Sequence, residues 1–196
     1  MSRETIALKE WAVAIDALAE GRQIVLLRKG GIAEETREFR LESPSFWLYP
    51  TYEHQKAELL KEQAKPGLAR TLEGWHREIE FADVTCYAEV AADIEVTTQE
   101  KLDRIRDTHI WTDRFAEERL KWKRLKPLHV LLLRVYKLDE PARIPIRSAY
   151  SGCTSWIQIE PPFAPGAMKP VMDDAAFEAR VREIENVLAD SRDEAG

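Results

Sequence analysis

The sequence predicts an α+β fold, with a mixed, mostly antiparallel sheet flanked by an N-terminal and a C-terminal helix. Three observations predict it. Of 196 residues, 44% are apolar and 33% charged, the balance of a chain that buries a core. Apolar positions follow helical spacing near both ends of the chain and strand-like runs between them. Strands and helices also fail to alternate regularly, which argues against a doubly wound parallel sheet.

The elements follow in order. Over Thr5 to Glu20, Leu8, Trp11, Ile15 and Leu18 recur at spacings of three and four, the apolar face of one helix that Gly21 stops. Gln23 to Lys29 carries the aliphatic run Ile24 to Leu27 between glycines and reads as a buried central strand. Glu38 to Glu42 alternates charged and apolar residues, a half-exposed strand with Phe46 to Tyr49 as its antiparallel continuation. Thr51 is expected to cap a helix that runs to Ala64 before Pro66-Gly67 breaks it.

Ile79 to Val96 returns to strand-forming residues. Thr97 and Glu100 make a capping box for a short helix through Arg106, and Thr112 caps another over Asp113 to Trp122. His129 to Leu138 is the longest strand candidate, followed by Ser155 to Ile159. Pro161, Pro162, Pro165 and Pro170 stiffen a connector over residues 161–172. Asp173 then caps a helix whose Phe177, Val181, Ile184 and Leu188 share one face. The expected organisation is one α+β domain over residues 1–160, the connector, a helix over 173–190 packed on that domain, and a frayed tail over 191–196.

The net charge of −6 argues against attachment to nucleic acid by global electrostatics, while leaving room for a local basic patch. Cys86 and Cys153 stand far apart in apolar stretches, as buried free thiols do, and neither has the neighbours of a zinc site. No leader-like segment opens the chain, and no apolar run nears the roughly 18 residues of a membrane span. The expected compartment is the reducing cytoplasm. His76, Glu78 and Glu80 alternate onto one strand face, but two-histidine helical spacing is missing, and Asp83 is followed by Glu89-Val90-Ala91 without the lysine of a metal-dependent nuclease. No metal and no cofactor is predicted.

Four segments carry groups that do chemistry. In Trp47 to Gln55 an expected helix N-terminus offers backbone N–H groups to an anion, with Trp47, Thr51, Tyr52 and Gln55 as ligand-binding candidates. Glu53 and His54 are the candidate acid–base pair, His54 for its near-neutral intrinsic pKa; the competing reading makes these ordinary first-turn and packing residues. Arg28-Lys29-Gly30-Gly31 sets two cations beside two glycines, enough to hold a phosphate or carboxylate, though a plain strand-end turn has the same composition. Arg119, Lys121, Trp122 and Lys123 form the densest basic patch: Trp122 can stack on a base between phosphate-binding cations, or pack inward at a solvated helix end. Tyr150, Ser151 and Ser155 surround Gly152 in a turn whose hydroxyls can line a pocket; Ser151 lacks the frame of a hydrolase elbow.

The stretches ALKEWAV at 7–13, LLRKGGI at 26–32, FWLYPTYEHQ at 46–55 and YSGCTSW at 150–156 resemble the bacterial family catalogued as domain of unknown function 1802. The resemblance spans the chain up to the proline-rich connector and implies no particular catalytic residue, because the family carries no established activity. By analogy of fold, a small barrel of the kind in PUA-like RNA-binding domains is the matching architecture. Three function classes stand open: a module binding nucleic acid (RNA or DNA) or a nucleotide phosphate; an enzyme on a phosphorylated or nucleotide-like small molecule, with Glu53 and His54 as acid–base pair and Arg28 and Lys29 on the anion; and a non-catalytic partner protein.

Overall fold

A computed structural model describes residues 5–29, 39–122, 126–152 and 154–189. The first difference from expectation comes at once: the segment expected as one helix is a strand, β1 (Ile6–Trp11), followed by a shorter helix, α1 (Ala12–Ala19). Both faces of β1 are covered, so Ala7 and Leu8 are each 0% exposed. A strand buried on both sides loses its alternation, and its apolar spacing then resembles a helix. Gly21, at φ 68°, does end α1, with the Arg22 N–H closing back on the Ala17 carbonyl at 2.9 Å.

The aliphatic run forms β2 (Val25–Arg28), but at the edge of the sheet, not its centre. No strand forms over residues 39–42, where Phe39 is buried and the Arg40 carbonyl accepts a hydrogen bond from Trp156 Nε1 at 2.9 Å. β3 (Ser45–Thr51) runs parallel to β1 and antiparallel to β4 (Phe81–Val96). Thr51 therefore ends a strand and caps no helix. Two single 3-10 turns, Ala57–Leu59 and Glu62–Ala64, lead into α2 (Lys65–Leu72). Pro66 opens that helix, because in the first turn its missing N–H has no partner to lose.

The α3 helix (Gln99–Arg104) takes its cap from Thr98, one residue later than expected, with the Lys101 N–H donating to Oγ1 at 3.4 Å. In α4 (Asp113–Lys121) Thr112 caps as expected, accepting from the Phe115 N–H at 3.3 Å. The long β5 (Leu128–Pro145) pairs with β2 and β4, and β6 (Trp156–Gln158) pairs with β1. Inside the proline-rich stretch lies a further short strand, β7 (Met168–Pro170), on the flank of β5. Asp173 Oδ1 accepts from the Ala176 N–H at 2.8 Å and so opens α5 (Asp174–Ala189), which buries Phe177, Ile184 and Leu188 in the main core.

The sheet runs β2-β5-β4-β3-β1-β6, so the fold is α+β with a mixed, mostly antiparallel sheet. It is strongly curled. β2 and β1 lie four strand spacings apart in that order, about 19 Å in a flat sheet. Yet Arg28 of β2 donates to the Lys9 carbonyl of β1 at 3.3 Å. Register shifts at Val84/Cys86 and Val90/Ala92 supply the bend between the two longest strands. The main core, with Leu8, Phe46, Leu48, Leu131 and Leu133, lies against the helices; Ala7, Trp47, Tyr49, Tyr87 and Tyr150 make a second core. Cys86 is buried, which pushes its thiol pKa up; Cys153 lies outside the described residues.

Candidate functional site

The curl brings four strands' polar residues together around the end of β1. Glu10 is buried, its Oε1 accepting from the Trp11 N–H at 2.8 Å and its Oε2 from Arg28 Nη1 at 3.0 Å. Arg28 stands directly across from His129 on β5, and cross-strand partners share a face. His129 Nδ1 lies 2.8 Å from Asp93 Oδ1 on β4. The ring of Phe39 borders both, 5.5 Å from the Arg28 guanidinium carbon and 5.3 Å from the imidazole. Arg28 Nε is buried and meets no hydrogen-bond acceptor among the described residues.

A second guanidinium comes from the last turn of α4. Arg119 lies over the Phe115 ring at 4.9 Å, and its pKa is lowered first by burial and then by Arg28, while Glu10 acts the other way. Next to it, the Lys29 ammonium, its pKa lowered by burial, donates to the Leu120 carbonyl at the helix end. Trp122 is 43% exposed and does not pack inward, and Lys121 pairs with Glu117 one turn back. Lys123, Gly30 and Gly31 lie outside the described residues.

The segment after β3 contributes differently from its expected role as an anion-binding helix start. Thr51 Oγ1 donates to the Glu10 carbonyl at 3.0 Å, and Gln55 Oε1 accepts from the Val13 N–H at 2.9 Å, satisfying the first turn of α1 from outside. Tyr52 stacks on Trp75 at 5.7 Å, and burial, then Asp83, raises its pKa. Glu53 and His54 are exposed in the turn, His54 at φ 69°, and no described hydrogen bond or ion pair joins either to Arg28 or Lys29. Trp47, 1% exposed, is wedged between Tyr87 and Phe163 in the second core.

The turn at 150–155 also reaches β1, from the other side. Lys9 donates to the carbonyls of Tyr150 and Gly152 at 2.6 and 2.8 Å, and its own N–H donates to the Ser155 carbonyl at 2.8 Å. Tyr150 donates its hydroxyl to the Glu160 carbonyl, Ser151 bonds back to the Ser148 carbonyl, and Ser155 is buried. Tyr49 meets the Tyr150 ring at 5.6 Å, and its pKa is pushed up to about 12, chiefly by burial. Successive residues of a strand point to opposite faces, so Glu10 and Lys9 divide the expected residues into two groups. Arg28 lies at Glu10, with Arg119 nearby at the end of α4; Tyr150 lies at Lys9, on the face that Tyr49 and Thr51 share.

Lys9, Glu10, Asp93 and His129 escaped the sequence reading. Glu10 and Lys9 were absorbed into the exposed face of an expected helix. Asp93 and His129 did leave a signal, a charged or titratable side chain set within apolar strand sequence. Among the described residues the cluster sets Arg28 on the buried Glu10 carboxylate and His129 on Asp93, with Lys29 and Arg119 at the adjoining end of α4, and guanidiniums of this kind can take an anion.

A family model described as Domain of unknown function (DUF1802) matches residues 7–183. No curated protein matches the chain. Among solved structures, two single-site mutants of an ASCH protein from Zymomonas mobilis are similar at TM-scores of 0.48 and 0.49, each at 13% identity, covering 82% of this chain and 93% and 92% of theirs. The structure of ASCH from the same organism gives a TM-score of 0.45 at 14% identity, over 80% of this chain and 87% of that one. No described helix is long and apolar enough to cross a membrane.

Proposed function

The chain belongs to the DUF1802 family, and from that premise we propose that it is a nucleic-acid or nucleotide binding module whose phosphate is held by Arg28 and Arg119. The observation that carries the reading is the gathering of cations where β1, β2 and α4 meet: Arg28 on Glu10 at 3.0 Å, and Lys29 on the carbonyl of Leu120, the residue after Arg119. Guanidinium forks match phosphate oxygens, and a partly desolvated site strengthens each such bond. Three residues beyond Arg119, the exposed Trp122 offers a face on which a base can stack. An acidic protein gains local, not global, attraction for a polyanion this way.

Filter binding of single-stranded RNA and DNA oligonucleotides over a salt series tests it. Binding that weakens with salt is expected, with a slope reduced by about 0.7 in Arg119→Gln if one single-strand phosphate contact is lost. Trp122→Ala is expected to weaken binding about tenfold, the worth of one stacked base, without altering the fold. Absence of binding at low salt, or binding indifferent to salt, overturns the reading.

A further inference from the structure

Arg28 and Lys29 are neighbours in sequence and part company in the fold. Successive side chains of an extended chain point to opposite faces: Arg28 turns to Glu10, while the Lys29 ammonium donates to the Leu120 carbonyl. Leu120 belongs to the last turn of α4, and the final carbonyls of a helix have no partner within it. That end is also the negative pole of the helix dipole, which favours an ammonium over an anion. A phosphate would meet Lys29 only by displacing this carbonyl, and the residue is 4% exposed. The chain leaves the helix at Trp122, whose backbone is extended (φ −61°, ψ 123°) and whose N–H returns to the Glu118 carbonyl at 3.1 Å. Trp122 thus departs from the very turn that Lys29 grips, and it is exposed.

We propose that Lys29 is a positioning residue, which clamps the carbonyl end of α4 from inside the protein and so fixes how Trp122 is presented to a ligand. It is not itself a phosphate ligand. The two cations of this one stretch then serve the two halves of a nucleotide, Arg28 the phosphate and Lys29, through α4, the base. The clamp is a property of the free chain; its consequence for stacking rests on the function proposed above.

Fluorine NMR of the full chain labelled with 5-fluorotryptophan tests the clamp without a ligand. The sequence holds six tryptophans, and the Trp122 signal is the one lost in Trp122→Phe. Lys29→Met is expected to shift or broaden that signal while leaving the signal of Trp47, in the second core, in place. Trp47 therefore reports the fold in the same spectrum; if it moves too, Lys29→Gln, polar and one bond shorter, replaces Lys29→Met. A Trp122 signal that stays put in the folded variant overturns the clamp. Filter binding of single-stranded RNA then separates a clamp from a phosphate contact. In the Lys29→Met background the roughly tenfold cost of Trp122→Ala is expected to fall to about threefold or less, the mark of two coupled residues. The salt slope is expected to keep its wild-type value, because no phosphate contact is lost. A slope lowered by about 0.7, or a Trp122→Ala cost still about tenfold, overturns the inference and leaves the proposed function standing. If the wild-type chain binds no RNA, the proposed function falls, and the fluorine signal alone decides the clamp.

Discussion

Lowering the pH from 7 to 4.5 protonates His109 in the unfolded chain far more than in the folded one, where its imidazole is buried. His109 is 5% exposed, and neither ring nitrogen has a hydrogen-bond partner among the described residues. Its own carbonyl holds the Lys61 ammonium at 2.9 Å, so a positive charge stands close by. Burial first, and Lys61 second, push the imidazole pKa down from 6.5 to about 4. A depressed histidine pKa means the unfolded chain binds more protons than the folded one between those two values. The contribution is thus complete above the unfolded pKa and drains away as the pH falls toward the folded one. Integrating between pH 7 and 4.5 gives a loss of about 2 kcal/mol from this residue alone. Urea unfolding followed by tryptophan fluorescence at both pH values measures it, with His109→Phe as the non-titrating comparison. The wild-type chain is expected to lose about 2 kcal/mol more than the variant over that interval. Equal losses in the two proteins would refute the argument.

Other expectations concern the fold. Glu10→Ala leaves Arg28 buried without its carboxylate and is expected to cost about 3 kcal/mol in urea unfolding, far more than an exposed ion pair such as Arg114–Glu118 would. Thr112→Ala removes the α4 cap and should cost about 1 kcal/mol, read in the same way. Leu188→Ala should cost at least about 2 kcal/mol if α5 is an integral part of the core, and near zero if it is an appendage.

Much of the secondary structure was legible because local chemistry declared it. Thr112 and Asp173 are caps that act within three residues of themselves, and both helices open where they stand. The Phe46 to Tyr49 and His129 to Leu138 runs became strands because β-branched and aromatic residues between turn signals have few other uses. The errors had the opposite origin. β1 read as a helix because its two faces are covered by different cores, and no local pattern records that. The segment after Thr51 read as a helix because a strand that ends in Pro50-Thr51 also supplies a plausible cap, and Pro66, taken as a breaker, proved to be a first-turn residue.

The candidate site divides along the same line. Arg28, Lys29, Arg119, Thr51 and Tyr150 were visible as types of residue that handle anions or line pockets. Their grouping was not visible, since Arg28 and Glu10 are eighteen residues apart, and Arg119 is farther still. By itself the sequence determined the class of fold, the caps and the stock of cations and aromatics, all of which depend on neighbours along the chain. The tertiary structure alone decided that Glu10 anchors Arg28, that Lys9 serves the opposite face, and that His129 stands beside the guanidinium. Those choices follow from the curl of the sheet, a sum of twist and bulges over many strands, which no single stretch of residues encodes.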